Sequence, residues 1–354
     1  MSGASTLSPY LVELIKDRSC NRVEFRSSTL GGLGCFALES LKPDDVLFKV
    51  PRRLILASNS PVVRGHPVIT LLRVDKQITA ESLLFVYMAL EAKSGRNQYL
   101  NTLTPLVGLI AAELSGTNVG AQVVADDQEL QSQLVLINAV LPEMTIEELV
   151  IAKRQYNSRR YPARFALSVD TTVSSNDSLK RNREDVDNGG DVDGGPRRCY
   201  DRTHGCLCPL LDILNHSTER GEEPLSYGVE SDDLVVRTTV AYQAGDEVFS
   251  NYGCLNNDSL LLQFGFCDMD SGMDVVCVKV AGGSGSGYHL RSGHIPEVLL
   301  GDGGEGLYHL LRRKKKALPA KPTRSSDDSA VRHYMRRQRV LLKALLTELD
   351  NMSG

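Results

Sequence analysis

Apolar positions change their period along the chain, and each change marks a different kind of element. Residues 22–25, 35–38, 46–50 and 54–56 carry short apolar runs that predict strands. Gly31-Gly-Leu-Gly34, the turn Lys42-Pro-Asp-Asp45 and Pro51 punctuate them. From Thr79 the spacing becomes three-and-four. Thr79 is placed to cap a helix over 80–94, with Leu83, Leu84, Tyr87 and Met88 along one side and Gly95 as its stop. A second helix is expected over 127–140 on Leu130, Leu134 and Ile137, limited by Pro142. A third follows Thr145-Ile-Glu-Glu148, a capping box whose hydroxyl and carboxylate each take one orphan backbone N–H, and is expected to reach Arg160. Strands resume at 234–237, 247–249 and 274–280. Helical spacing returns weakly over 295–311 and clearly over 329–349, where Tyr334, Leu341, Leu342, Leu345 and Leu349 share a face.

Between these patterned regions, residues 168–198 hold almost no apolar side chains and are rich in Ser, Asp, Asn, Gly, Lys and Arg. Such a stretch cannot bury enough surface to offset its ordering entropy and reads as a disordered surface loop. Residues 282–287 read as a flexible Gly/Ser linker. The 354-residue chain as a whole is ordinary in composition, with 42% hydrophobic and 24% charged residues. Its net charge of −4 gives no whole-molecule case for a nucleic-acid partner. No apolar run reaches the about 20 residues a bilayer span needs. The first twenty residues read as amphipathic, interrupted by Glu13, Lys16, Asp17 and Arg18, and not as a secretion signal. The 8 cysteines are scattered, which points to reduced thiols and a cytoplasmic or nuclear protein.

Candidate chemistry is sparse. Arg159 falls on the face of the third helix that carries Leu149, Ala152 and Tyr156. A buried guanidinium there needs an anion, because it cannot lose its proton; snorkelling at a helix end is the commoner case. Asn215-His216 ends the apolar run that starts at Pro209 and includes Asp212, and Tyr252-Gly253 follows a strand. Each alone reads as a strand end running into a turn. The Gly31–Gly34 turn is neither a phosphate loop, since no Gly-Lys-Ser/Thr follows, nor a dinucleotide fingerprint, since strands flank it on both sides. Cys199, His204, Cys206 and Cys208 could be metal ligands, but their spacing fits no zinc pattern, so no metal is expected. The basic run Arg312–Lys316 reads as a solvated helix end or as a nuclear-targeting or nucleic-acid patch.

Taken in order, these pieces resemble one family. Gly31-Gly-Leu-Gly-Cys-Phe-Ala37, the pair Lys42–Leu47 and Val50-Pro51-Arg52, Tyr99-Leu100 with Pro105, Glu113-Leu-Ser-Gly-Thr117, Ser158-Arg159, Pro209–His216, Gly245-Asp-Glu-Val-Phe-Ser-Asn-Tyr-Gly253 and Asn257–Phe266 resemble the SET-domain protein methyltransferases of the Rubisco large-subunit lysine methyltransferase and actin-histidine methyltransferase class. The resemblance covers residues 20–280. It implies an α+β fold of small SET-domain sheets with a pseudoknot, a helical insert and a short helical C-terminal region. The expected segments are 20–60 and 199–280 for the two SET parts, 61–167 for the insert, 168–198 for the loop, and 281–354 for a truncated helical region.

The same resemblance implies S-adenosylmethionine (AdoMet) as cofactor and a non-histone protein as substrate, methylated on lysine, with no nucleic acid, no membrane and a monomeric state. A histidine target or a non-catalytic SET-like binding module are the alternatives. Residue by residue, the backbone of Gly32, Leu33 and Gly34 would hold AdoMet, Arg159 would face its carboxylate, and Asn215 would bind its amino or carboxylate end. His216 would read the adenine edge through its backbone, and Phe266 would pack on the adenine. Tyr252 would sit where the methyl group moves, and carbonyls near Ser158 and Asp212 would face the target nitrogen. Phe264 stands where the family often has Tyr.

Overall fold

The computed structural model describes residues 9–17, 22–30, 32–103, 114–166, 205–217, 219, 223–253, 255–268, 274–278, 288–319 and 329–352. Gly31, Pro105, Glu113, Cys199, His204, the expected loop over 168–198 and the linker over 282–287 lie outside them. The chain divides into two compact units, Met1–Thr104 with Leu136–Gly253, and Pro105–Val135 with Cys254–Gly354. Residues 105–135 of the expected insert thus group with the C-terminal part, a different cut from the segments drawn on sequence.

The first unit is built on small antiparallel sheets. Strands β1 (Val23–Ser27) and β2 (Leu33–Ala37) form a hairpin whose register pairs Val23 with Ala37 and Arg26 with Gly34. Strand β1 alternates, burying Val23 and Phe25, whereas β2 is buried along almost its whole length, as a central strand must be. Strand β3 (Val46–Pro51) pairs with β7 (Asp233–Thr238), and β7 pairs in turn with β6 (Leu225–Glu230). Two short strands, β4 (Arg160–Pro162) and β5 (Gly205–Leu207), make a separate pair, and β8 (Glu247–Val248) closes the first sheet against β2. Val23, Phe25, Phe48, Val50, Leu211, Leu214, Val236 and Val248 meet in one core.

Helices α1 (Pro9–Asp17), α2 (Pro61–Arg64), α3 (Pro67–Leu72), α4 (Ala80–Ser94) and α6 (Ile146–Asn157) belong to the same unit. The α4 ends are as expected: Thr79 accepts from the Ser82 N–H, and Gly95 takes φ +66°. The capping box of α6 is also present in both directions. Two sequence expectations fail here. Helix α6 stops at Asn157, because 160–162 are drawn into pairing with β5, so Arg159 sits at a helix-to-strand turn and not on the inward face of a helix. Residues 54–56 are no strand: a 3₁₀ turn covers Arg52–Leu54, and Leu56 makes only a lone bridge to Leu207.

Helix α5 (Asn118–Asn138), most of whose length lies in the second unit, begins well before residue 127. Thr117 Oγ1 accepts from the Gly120 N–H at 3.1 Å, and Gly120 is needed because a Cβ there would lie 2.2 Å from the Leu114 carbonyl. Low helix propensity at that glycine hides the start from a periodicity reading. The second unit also holds α7 (Asn257–Phe264), β9 (Val276–Val278), β10 (Tyr288–Leu290), α8 (Glu305–Ala317) and α9 (Ser329–Met352). Leu261, Val276, Leu290, Leu311, Tyr334, Leu342 and Leu345 form its core. Of the expected strand over 274–280, Val276–Val278 form β9, 274 and 275 stay outside it and 279–280 lie outside the described residues, while the weak helix over 295–311 becomes two 3₁₀ turns followed by α8, whose C-terminal half carries the basic run. No helix among the described residues is long and apolar enough to cross a membrane.

Candidate active site

Residues 210–217 have little regular structure of their own. A single 3₁₀ turn covers Leu211–Ile213, and Leu210 before it is a fully buried non-glycine residue at φ +68°. Such a backbone persists only where its surroundings dictate it. After the turn the chain runs beside the segment that follows β8. The Ser250 N–H donates to the Asn215 carbonyl at 2.9 Å, the Ser217 N–H donates to the Ser250 carbonyl at 3.1 Å, and His216 bridges Ser250 in parallel. The Asn-His and Tyr-Gly segments are therefore brought side by side.

That pairing brings Tyr252 to His216. The rings stack at 5.0 Å and 29°, and the Tyr252 N–H donates to His216 Nδ1 at 3.1 Å. Nδ1 is then an acceptor, so the proton of the neutral ring lies on Nε2. The Tyr252 hydroxyl donates to the Leu214 carbonyl at 2.8 Å. With its hydrogen spent there, the phenol oxygen faces any further partner as an acceptor.

Asn215 ties this pair to the glycine turn. Its Nδ2 donates to the Leu33 carbonyl at 3.1 Å and to Glu247 Oε1 at 2.7 Å. Glu247 Oε2 in turn accepts from the Ser28 hydroxyl at 2.9 Å. One carboxylate thus joins β8, the β1–β2 hairpin and the Asn-His segment. Both amide hydrogens of Asn215 are used, while its Oδ1 has no partner among the described residues. Gly34 lies under the same carboxylate: a Cβ there would stand 2.2 Å from Glu247 Oε1. Gly32 has φ +67° with nothing within 4 Å of where a Cβ would lie, so the turn borders open space. Sequence reasoning missed Glu247, although the Gly-Asp-Glu that carries it was in view.

Arg159, Ser158 and Asp212 also come together. Asp212 Oδ2 accepts from the Tyr99 hydroxyl at 2.8 Å and lies 3.9 Å from Arg159 Nε. Arg159 donates to the Ser158 hydroxyl at 3.0 Å. The protein itself therefore supplies a carboxylate near this guanidinium, one that sequence reasoning sought in a ligand. Burial pushes the Asp212 carboxyl up to about 6, against the opposing pull of Arg159 and the Tyr99 hydrogen bond. The same burial, with Asp212 beside it, holds the Tyr99 phenol well above its ordinary range.

The consequence for stability has a definite sign. Between about pH 4, where an unfolded Asp ionises, and about 6, where the folded one does, the unfolded chain holds fewer protons. Stability contributed by this group is therefore lost as pH rises through that window. Asp212→Asn keeps an acceptor for Tyr99 but carries no charge, so it is expected to melt higher than wild type at pH 7.5, by up to ~3 kcal/mol of unfolding free energy. At pH 4 it should show no such advantage. Equal differences at both pH values in thermal melts would remove the buried charge as the cause.

Phe266 and Phe264 lie in the second unit, their rings 6.2 Å apart. Among the described cysteines, Cys206 and Cys208 are buried and free. Burial raises the Cys206 thiol to about 12, and its Sγ–H donates to the Pro162 carbonyl. No group of metal-binding side chains occurs among the described residues.

Small antiparallel sheets that bring an Asn-His segment, a Tyr-Gly segment and a glycine turn to one place define a recognisable class of protein. The chain matches the SET domain family over residues 32–253, well over half its length, and it belongs to that family. It is similar to the ribosomal lysine N-methyltransferase Set10 of Schizosaccharomyces pombe, 36% identical over 80 residues, which are 21% of this chain and 14% of that protein. It is also similar to the protein-lysine N-methyltransferase EFM1 of Saccharomyces cerevisiae, 35% identical over 79 residues, 21% of this chain and 13% of that one. The matched stretch thus spans about a seventh of these relatives. Among solved structures, Rubisco LSMT bound to AdoMet aligns with a TM-score of 0.69 at 13% identity, covering 98% of this chain and 93% of that one. The SET domain of LSMT bound to lysine and AdoHcy aligns at 0.68 and 12% identity, covering 97% and 90%. At that identity the likeness is one of fold.

Proposed function

We propose that the chain is an AdoMet-dependent protein methyltransferase that modifies a lysine nitrogen of a non-histone protein. The observation that carries this reading is the state of Asn215. Its amide hydrogens are both spent inside the protein and its carbonyl oxygen is left over, so the side chain can accept from an ammonium and cannot donate to a carboxylate. That supports the amino end of AdoMet over its carboxylate end as the partner of Asn215, the two possibilities the sequence left open. The open space beside Gly32 suits the close approach of a ligand to backbone. Gly32, Leu33 and Gly34, with Asn215 and His216, would hold the cofactor, and Arg159 would hold its carboxylate. Two relatives named as lysine N-methyltransferases support the same reading.

When bound, AdoMet supplies a methyl group on a sulfonium, ready for in-line displacement. The protein's work is then to place, dry and deprotonate. A lysine titrates near about 10.4 in water and must arrive neutral; desolvation and a neighbouring cation both favour loss of its proton. The Tyr252 oxygen, its hydrogen committed to Leu214, can accept a weak C–H contact from a polarised methyl group. His216 keeps the Tyr252 ring in place from one face. The free cysteines among the described residues suit a reducing compartment, cytoplasm or nucleus.

The test combines calorimetric titration of AdoMet with incubation of the purified chain, labelled AdoMet and a cell lysate. Saturable binding and a labelled protein band whose modified residue is lysine by mass spectrometry are expected. Label on histidine would reassign the target, and absence of both binding and label from a folded sample would end the reading.

A further inference from the structure

Three tyrosine hydroxyls hold one short segment. Tyr99 donates to Asp212 Oδ2 at 2.8 Å, Tyr161 donates to the Leu211 carbonyl at 2.8 Å, and Tyr252 donates to the Leu214 carbonyl at 2.8 Å. They come from far apart: the loop after α4, strand β4, and the turn after β8. Their acceptors lie within four consecutive residues, directly before Asn215 and His216. The segment starts from a strained, buried Leu210 and has one 3₁₀ turn of its own. The amides of Asp212, Ile213 and Leu214 bond only locally, to Cys208, Leu210 and Leu211, so side chains from elsewhere tie this turn to the rest of the fold.

We propose that Tyr99 and Tyr161 are positioning residues that, with Tyr252, clamp residues 211–214 and so fix the Leu214 carbonyl, Asn215 and His216. The two phenols reach the segment itself, at Asp212 and Leu211, and act on Asn215 and His216 through it. Tyr99 is 3% exposed and Asp212 is buried beside it, so water is a poor substitute for the lost hydroxyl. Tyr161 and Tyr99 grip neighbouring residues through different kinds of acceptor, a backbone carbonyl and a carboxylate. Removing either should loosen the same amides, which an unrelated pair of buried tyrosines would not do. The link from clamp to turnover rests on the proposed methyl transfer, whereas the clamp itself does not.

The experiment is hydrogen exchange by mass spectrometry on the whole chain, without cofactor or substrate, for wild type, Tyr99→Phe, Tyr161→Phe and the control Tyr87→Phe. Tyr87 is buried, and its hydroxyl meets Asn97 at 3.5 Å instead of the segment. For the first two variants, exchange in peptides covering 211–217 should rise on the order of tenfold, the loss of one buried hydrogen bond. The β1–β2 and β3–β7–β6 sheets should stay as protected as in wild type, and the control should leave 211–217 unchanged. Unchanged exchange at 211–217 in both variants, or an equal rise across all sheets, would overturn the clamp. If Tyr99→Phe does not fold, Tyr161→Phe alone decides. Where wild type turns over, Tyr99→Phe should lower kcat by a similar factor with KM for the protein substrate unchanged. Wild-type kcat alongside loosened 211–217 would keep the clamp and remove its role in positioning the chemistry. An inactive wild type with the expected exchange pattern would sink the methyl transfer and leave the clamp standing.

Discussion

Tyr252→Phe is expected to abolish most turnover while leaving cofactor affinity within a few-fold of wild type. The ring does not depend on its hydroxyl for placement. It stacks on His216 at 5.0 Å, and its backbone N–H is held by His216 Nδ1 at 3.1 Å. Phenylalanine keeps both contacts. What disappears is one hydroxyl with two tasks: its O–H donates to the Leu214 carbonyl at 2.8 Å and, in the proposed reaction, its oxygen accepts at the point of transfer. Loss of one preorganised polar group at a reacting centre costs on the order of a hundredfold in kcat, or about 2.7 kcal/mol. Asn215 keeps its own bonds to Leu33 and Glu247, and Tyr99 and Tyr161 still hold the segment before it, so binding should survive. Calorimetry and steady-state kinetics on the same preparation separate the two effects. A variant within threefold of wild-type kcat would exclude the Tyr252 hydroxyl from the mechanism, and a variant that no longer binds AdoMet would make it a binding group instead.

The elements legible in the sequence were those whose signals are local. Thr79 and Gly95 bound α4, and Thr145 with Glu148 starts α6, because caps act within one turn of the chain. The failures share a cause. Residues 158–162 continue a helical spacing, yet β5, more than forty residues away, claims 160–162 as a strand. Residues 54–56 look like a strand, yet among the described residues their one strand-type pairing is the Leu56–Leu207 bridge. Tertiary pairing overrides propensity in both places. For the site, the family resemblance located Gly34, Asn215, His216 and Tyr252, and the structure brings them together. It could not reveal which acceptors they use. Glu247, Tyr99 and Tyr161 act across 219, 113 and 50 positions of sequence respectively, on Ser28, Asp212 and Leu211. Nothing in the composition around a tyrosine says that its hydroxyl will close over a distant carbonyl.

Gly34→Ala should weaken cofactor binding about tenfold or more without unfolding the chain, and its effect should depend on Glu247. An added Cβ would lie 2.2 Å from Glu247 Oε1, 2.9 Å from its Cδ and 3.2 Å from Asn215 Nδ2. The backbone cannot retreat easily, since Gly34 is paired with Arg26 inside the β1–β2 hairpin. The carboxylate must therefore leave, giving up both Ser28 and Asn215. Asn215 is then free to rotate, and the arrangement that leaves its Oδ1 for an ammonium is lost. Overpacking of this kind costs about 1–3 kcal/mol of stability, which a fold with two substantial cores can bear. Binding should weaken by at least about tenfold, one charge-assisted hydrogen bond to the ligand. Gly32→Ala makes the contrast in the ligand-free chain: its Cβ would meet nothing within 4 Å, so only the positive φ resists, at a cost of about 1 kcal/mol, and any effect on AdoMet, whose space it would enter, should not depend on Glu247. The decisive comparison is a double-mutant cycle. Glu247→Ala removes the obstacle as well as the anchor, so adding Gly34→Ala to it should cost little more than Glu247→Ala alone. If the two losses in affinity simply add, the glycine is not there to make room for the carboxylate, and the coupling of turn, carboxylate and amide fails with it.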